Sequence, residues 1–167
     1  MRQVRLRAME PEDLEMLYTI ENDPELWGVG CTNVPYSRYV LHDYIAQSSG
    51  DIYTDRQVRL IIEDHQQEII GVADLLNFDP KHRRAEVGIV IIGKRRRQGN
   101  ASDALAALHD YAREVLHIHQ LYAFIAADNE PSLALFRKFD YHISQPLADW
   151  LYDGKAYHPA FIVQKLL

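Results

Sequence analysis

Residues 83–127 leave this chain few ways to fold. The run RRAEVGIVII, Arg83 to Ile92, reads as a strand whose far end is almost wholly apolar. GNASDALAALHDYAREVL follows from Gly99, with Ala104, Leu105, Leu108, Tyr111 and Ala112 on one side of a helix. The apolar run QLYAFIAA, Gln120 to Ala127, then reads as a buried strand. A strand, a helix and a strand of these lengths form a crossover unit, and such units are right-handed almost without exception. The apolar end of the first strand predicts burial on both of its faces.

The remaining segments supply the other elements. QVRLRAM alternates at period two and reads as a first strand. Pro11 and Glu12 open a helix with Leu14, Leu17 and Ile20 along one face, and ENDPE ends it. The loop WGVGCTNVPYS leads to a second amphipathic helix over Arg38 to Gln47. QVRLIIED and EIIGVADLLNF are strands joined by the polar turn HQQ. NEPSLALFRKF reads as a short helix with Pro131 in its first turn. DWLYDGKAYHPAFIVQKLL reads as a hairpin turning at Asp153-Gly154, with Trp150 and Tyr157 placed in the core or at a subunit interface. The expected fold is therefore a single mixed α/β domain over residues 1–167, antiparallel in its first half.

Composition excludes several classes. A formal charge of -6 on 167 residues argues against a general nucleic-acid binder. Cys31 is the one cysteine, so no internal disulfide forms. No apolar run approaches the roughly 20 residues that cross a bilayer, and MRQVRLRAMEPEDL lacks the apolar core of a signal peptide. The expectation is a cytoplasmic protein with no membrane partner. His109, His117 and His119 show no metal-ligand spacing with a carboxylate, so no metal site is expected.

Against that acidic background stands KRRRQGNASDAL, Lys94 to Leu105. The first turn of a helix has backbone N–H groups without intrahelical partners and partial positive charge. Gly99 and Ala101 let a bulky anion approach, and Lys94, Arg95, Arg96 and Arg97 add charge, a combination suited to phosphate. A solvated basic turn explains the same residues equally well. No Gly-Lys-Ser/Thr follows, so this is not a P-loop.

These residues carry a resemblance. RRQGNA, Arg96 to Ala101, resembles the Gln/Arg-x-x-Gly-x-Gly/Ala motif of the GNAT superfamily of acyl-CoA N-acyltransferases. NEPSLALFRKFDY, Asn129 to Tyr141, is similar to that superfamily's second signature. The order of elements also agrees, and the likeness runs from VRLRAMEPEDL to the last strand. Within the superfamily, VRLRAMEPEDL, FDPKHRRAEVGIVI and LYDGKAYHPAFIVQKLL are similar to the bacterial spermidine N-acetyltransferases. That group carries acidic residues in the loop before the second helix, whereas GVGCTNVPYS here has none.

The resemblance implies a mixed, mostly antiparallel twisted sheet flanked by helices on both faces. It implies acetyl-CoA as co-substrate and direct transfer of the acetyl group to a primary amine, a polyamine or a protein N-terminus among the candidates. It implies backbone contacts of Ile89, Val90 and Ile91 to the pantetheine arm and thioester. Arg96, Arg97, Gln98, Gly99, Asn100, Ala101 and Ser102 would hold the pyrophosphate, with Asn129, Ser132, Phe136 and Lys138 as further coenzyme contacts. Asn129 also suits a helix N-cap, and Lys138 suits solvent. Glu86 is the candidate base, unless it pairs with Arg83 or Arg84, and Asp74 is a weaker second choice. Trp27 and Tyr36 border the acceptor side and suit stacking against an amine. The likeness is compatible with a homodimer or larger homo-oligomer.

Three positions depart from the pattern. The signature tyrosine that gives a proton to the leaving thiolate is Phe136, so water or another group such as Tyr141 must substitute, or the enzyme is slow, or the domain binds acyl-CoA without turnover. The signature glycine after that helix is Asp140, and Arg97 stands where glycine is common. Two rivals follow: a non-catalytic acyl-CoA sensor, and an assembly or nucleic-acid protein using KRRRQ as a basic patch.

Overall fold

In chain order the elements build outward along one sheet. The computed structural model describes residues 3–27 and 34–167, without the side chain of Trp27. Strand β1 (Val4–Ala8) is followed by a 3-10 turn over Pro11–Asp13 and helix α1 (Leu14–Glu21), which buries Leu17 and Ile20. A short helix α2 (Pro24–Trp27) comes next. Helix α3 (Arg38–Ala46) is capped by Ser37, whose hydroxyl accepts from the Val40 amide. Helix α4 (Ile52–Asp55) is capped in the same way by Asp51. Strands β2 (Val58–Asp64), β3 (Ile69–Asp79) and β4 (Arg84–Ile91) follow as an antiparallel meander. Helix α5 (Asn100–Asp110) continues into a turn of π-helix over Tyr111–Val115, and β5 (Gln120–Ala126) returns parallel to β4. Helix α6 (Glu130–Lys138), the two-residue β6 (His142–Ile143), β7 (Leu147–Tyr152) and β8 (Tyr157–Leu166) complete the chain.

The strands form one sheet in the order β1-β2-β3-β4-β5-β8-β6, with β7 also on β8, and β4–β5 is its parallel pair. The sheet is therefore mixed and mostly antiparallel, as expected. Each face has its own core. Leu60, Ile62, Ala73, Leu75, Ala85 and Val87 pack with Leu105 and Leu108 of α5 and with Leu133 and Phe136 of α6. The alternate residues Ile61 and Val72 pack with Ile20 of α1 on the opposite face. Period two in β2 and β3 therefore feeds two helical layers.

Several expectations need correction. The helix expected from Pro11 is α-helical only from Leu14. Helices α2 and α4 and strand β6 were not legible as elements, being two to four residues long. The far end of β4 is not buried on both faces, since Gly88, Ile89 and Val90 are half-buried. Strand β5 buries Leu121, Ala123 and Ile125 on one face and half-exposes the residues between them. Trp150 and Tyr157 are outside the core, at 51% and 62% exposure.

One cause is shared. The β4–β5 ladder comprises Arg84↔Gln120, Ala85↔Leu121 and Glu86↔Tyr122 and goes no further. From Val87 onward β4 stays paired with β3 but has no ladder on its other edge. Helix α5 begins beyond that end. The result is a V-shaped opening between two parallel strands.

Gly71 holds β3 against this part of β4. A Cβ there would lie 2.0 Å from the Val90 carbonyl oxygen, whereas one at Gly93 would meet nothing within 4 Å. Gly71→Ala should therefore cost about 3 kcal/mol or more in denaturant unfolding, and Gly93→Ala should stay within about 1 kcal/mol. A second prediction concerns acid. Arg7 binds both oxygens of Asp13 at 2.7 and 2.8 Å and also Glu63, tying β1 to β2 and to the following turn. Bonding to Arg7 holds both carboxylates below their usual range. Depressed folded-state values give stability that is full above the unfolded values near 4 and is lost as pH falls through the folded ones. Arg7→Met should cost about 3 kcal/mol at pH 6, and the difference from the parent should shrink steadily below pH 4.

Candidate active site

The basic run resolves into two parts. The Arg95 guanidinium turns back to Asp64 at 3.1 Å and to Glu68. Arg96 donates from Nε to the Ile91 carbonyl at 2.9 Å and lies 3.5 Å from Glu25. These two arginines hold the loop, and Arg96 is also exposed. Lys94 and Arg97 remain exposed, and Arg97 has φ of 60°. Gln98 donates to the Lys94 carbonyl at 3.1 Å.

Gly99 is the N-cap of α5 with φ of 86°, and nothing lies within 4 Å of the position a Cβ would take. Its left-handed backbone and open surroundings leave the first amides of α5 approachable. Asn100 is buried and donates to the Arg95 carbonyl at 2.9 Å, fixing the loop to the helix. Ala101 packs against the core, and the Ser102 hydroxyl accepts from Lys138 Nζ at 3.1 Å. Lys138 thus arches from α6 over the first turn of α5 rather than standing in solvent alone.

Across the opening, Asn129 caps α6, its side-chain oxygen accepting from the Ser132 amide at 3.3 Å. The cap expected from sequence is there, and Ser132 is half-buried beside it. Phe136 is 5% exposed and meets the Tyr141 ring edge-on at 4.7 Å. Tyr141 is equally buried, and its hydroxyl is 2.8 Å from His109 Nε2 on α5. Burial pushes the Tyr141 hydroxyl far above the usual phenol range. It braces the Phe136 ring from the core side. Asp140 takes the left-handed conformation, φ 59°, that its glycine-like position demands.

The opposite face of β4 carries the acceptor-side candidates. Glu86 is half-buried and accepts at Oε2 from the Asn77 side chain at 2.8 Å. It does not pair with Arg84, which reaches Asp79 at 3.3 Å. Asp74 has both oxygens taken by Arg59, at 2.7 and 2.9 Å, and Arg59 also binds Glu21 of α1. Burial alone would lower the Arg59 pKa, but Asp74 and Glu21 outweigh it and hold the guanidinium charged. The Tyr44 ring lies 5.7 Å from the same guanidinium. Asp74 is thus the ion-pair partner of Arg59 and stands across the ladder from Gly88. Tyr36 is half-buried, and its backbone is clamped by Asn22, which accepts from the Tyr36 amide at 2.8 Å and donates to its carbonyl at 3.0 Å. The Trp27 side chain lies outside the described residues.

Sequence reasoning missed Arg59, Asn77 and Tyr122. Tyr122 pairs with Glu86 across the ladder, and burial, followed by the Glu86 charge, raises its pKa. A polar residue in an alternating strand was the available signal for Arg59. Among the described residues no group of three metal-ligating side chains occurs, and no helix is long and apolar enough to cross a membrane.

Comparison with known proteins identifies the family and the fold. The family described as Acetyltransferase (GNAT) domain matches residues 3–142. Spermidine N(1)-acetyltransferase of Vibrio cholerae is 26% identical over 137 residues, 81% of this chain and 77% of that protein. The Escherichia coli K12 protein of the same name is 26% identical over 163 residues, 95% and 78% of the two chains. A crystal structure of the Vibrio cholerae spermidine N-acetyltransferase with CoA and spermine superposes with a TM-score of 0.86 at 24% identity, covering 98% of this chain and 95% of that one. A dodecameric structure from the same organism gives 0.83 at 23%, covering 98% and 94%.

Removing Arg59 would leave Asp74 and Glu21, at 7% and 19% side-chain exposure, without their shared cation. Arg59→Met should lower unfolding free energy by about 3–5 kcal/mol at pH 7. Urea titration measures it.

Proposed function

The chain belongs to the GNAT acetyltransferase family and is an acyl-CoA-dependent N-acetyltransferase using acetyl-CoA, and on that premise we propose that it transfers the acetyl group directly to a small primary amine in a ternary complex. The observation that carries this reading is the opening of β4 from β5 after three ladder pairs, facing the free first turn of α5. The pyrophosphate would lie on the amides of Gly99 to Ser102, with Arg97 and Lys138 supplying charge. The pantetheine arm and thioester would lie along the unladdered edge of Ile89, Val90 and Ile91, near Asn129 and Ser132. Peptide groups on such an edge want partners, and an amide-bearing arm supplies them.

Glu86 is the group we assign to the amine. It draws the ammonium in by charge and takes its proton, directly or through water. The amine nitrogen then bonds to the thioester carbonyl carbon, the carbon–sulfur bond breaks, and the thiolate leaves. Alignment of the two reactants contributes on the order of 7–11 kcal/mol in such reactions. Phe136 occupies the acid's place without a proton, and Tyr141 is held in the core by His109. Water is the proton source we assign to the thiolate, whose ordinary pKa of about 8.5 makes it a tolerable leaving group. Spermidine is the first acceptor to try, because relatives bear that name. A protein N-terminal amine is a further acceptor to test. We further propose one domain over the whole chain, acting in the cytoplasm as a homo-oligomer.

A second reading, binding without turnover, is favoured by Phe136. Calorimetric titration with acetyl-CoA followed by thiol release across an amine panel separates the two. Binding with release supports transfer, binding without release on any amine supports the sensor, and no binding sinks both. With an accepted amine, Glu86→Gln should lower kcat/KM by about 10²–10⁴-fold, and Phe136→Tyr should raise kcat by about tenfold or more.

A further inference from the structure

The cleft floor at Glu86 continues into an aromatic wall that the transfer chemistry does not use. Tyr122, the ladder partner of Glu86, meets Phe124 edge-on at 6.0 Å. Phe124 stacks on Trp150 of β7 at 5.3 Å with only 14° between the rings. The ladder ends at Glu86 and Tyr122, so Phe124, two residues on and on the same side of β5, stands where the strands part. Trp150 keeps half of its surface exposed.

The charge around this wall is unlike that of a polycation site. A depression of about 360 Å³ beside it is lined by Arg84, Gln120, Tyr122, Phe124, Ile162 and Gln164, with a cation and no carboxylate among them. Three further carboxylates are committed. Asp74 and Glu21 bind Arg59, and Asp79 accepts from the Lys81 and His82 amides and from Arg84. Of these four carboxylates Glu86 is the one held by an amide rather than by a cation, and it lies next to flat apolar surface.

From this juxtaposition we infer that the acceptor is a monoamine with a flat apolar body, an arylalkylamine in chemical class, whose ring lies on the Phe124–Trp150 stack while its amine meets Glu86. The inference rests on the transfer reaction proposed above and names its substrate class. Ring faces give area and quadrupole attraction to the carbon beside an ammonium. A second ammonium on a longer acceptor would be driven toward Arg84 instead of a carboxylate, which disfavours it.

Thiol release at saturating acetyl-CoA, with phenethylamine, tryptamine, spermidine and a short peptide as acceptors, tests this. The aryl amines should exceed spermidine and the peptide in kcat/KM by about tenfold or more. Trp150→Ala should raise the aryl amines' KM by on the order of tenfold with the KM for acetyl-CoA unchanged, and Trp150→Phe should recover most of the loss. A preference for spermidine or the peptide overturns the inference and leaves the transferase reading intact. A Trp150→Ala variant that shifts every acceptor alike while changing the particle mass in light scattering also overturns it, making the stack an interface between copies. Acetyl-CoA that binds but releases no thiol with any amine overturns the transferase reading itself, and this inference with it.

Discussion

The parting of β4 from β5 is the constraint on which the remaining arrangement depends. A parallel pair inside a sheet normally keeps its ladder, because peptide groups removed from water need partners. Here pairing stops after Glu86↔Tyr122, while β3 keeps hold of β4 as far as Gly71↔Ile91. The close approach of Gly71 to the Val90 carbonyl allows β4 to follow β3, and α5 covers the inner face of the diverging strand through Leu105 and Leu108. What the sheet forgoes in hydrogen bonds it gains as an unladdered peptide edge facing a helix N-terminus. A substrate with amides along an arm and phosphates at its end fits that geometry, and acetyl-CoA is such a substrate.

Charge is distributed to serve that opening. A chain of net charge -6 carries four consecutive cations at Lys94 to Arg97, yet two of them are spent on structure. Arg95 closes the β2–β3 turn through Asp64 and Glu68, and Arg96 grips the end of β4. The remainder, with Lys138 crossing from α6 to Ser102, supplements a helix N-terminus whose partial positive charge is already there. On the opposite face Arg59 is shared by the carboxylates of Asp74 and Glu21.

How much was legible follows from which signals are local. Helix α5, the Asn129 cap and the left-handed Asp140 could be read because each depends on a few neighbouring residues. RRQGNA was legible as a motif, but the inward turn of Arg95 was not, since its partners lie about thirty residues upstream. The apolar run GIVII misled for a physical reason. Hydrophobicity registers that a surface avoids water, and it does not distinguish a surface covered by protein from one lining a cleft. Tyr122 and Phe124 escaped notice in the same way, because alternation in β5 looked like burial of the whole strand. Asn77 and Glu86 are nine positions apart across a hairpin with an irregular register, which no periodic reading resolves.

Phe136 brings these strands of reasoning together. Its ring is locked between α6 and the core by Tyr141, and Tyr141 is in turn held by His109. Were Tyr141 to donate a proton to a thiolate, it would leave charge on a phenolate in an apolar core, which its raised pKa already penalises. The pair is therefore better suited to fixing the ring than to moving a proton. A fixed ring at this position keeps the shape of the cleft while removing one donor from it. In the reaction proposed above, the burden then falls on alignment along β4 and on Glu86, which places selectivity on whatever orients the amine's body. In this molecule the surface next to Glu86 that can do so is aromatic.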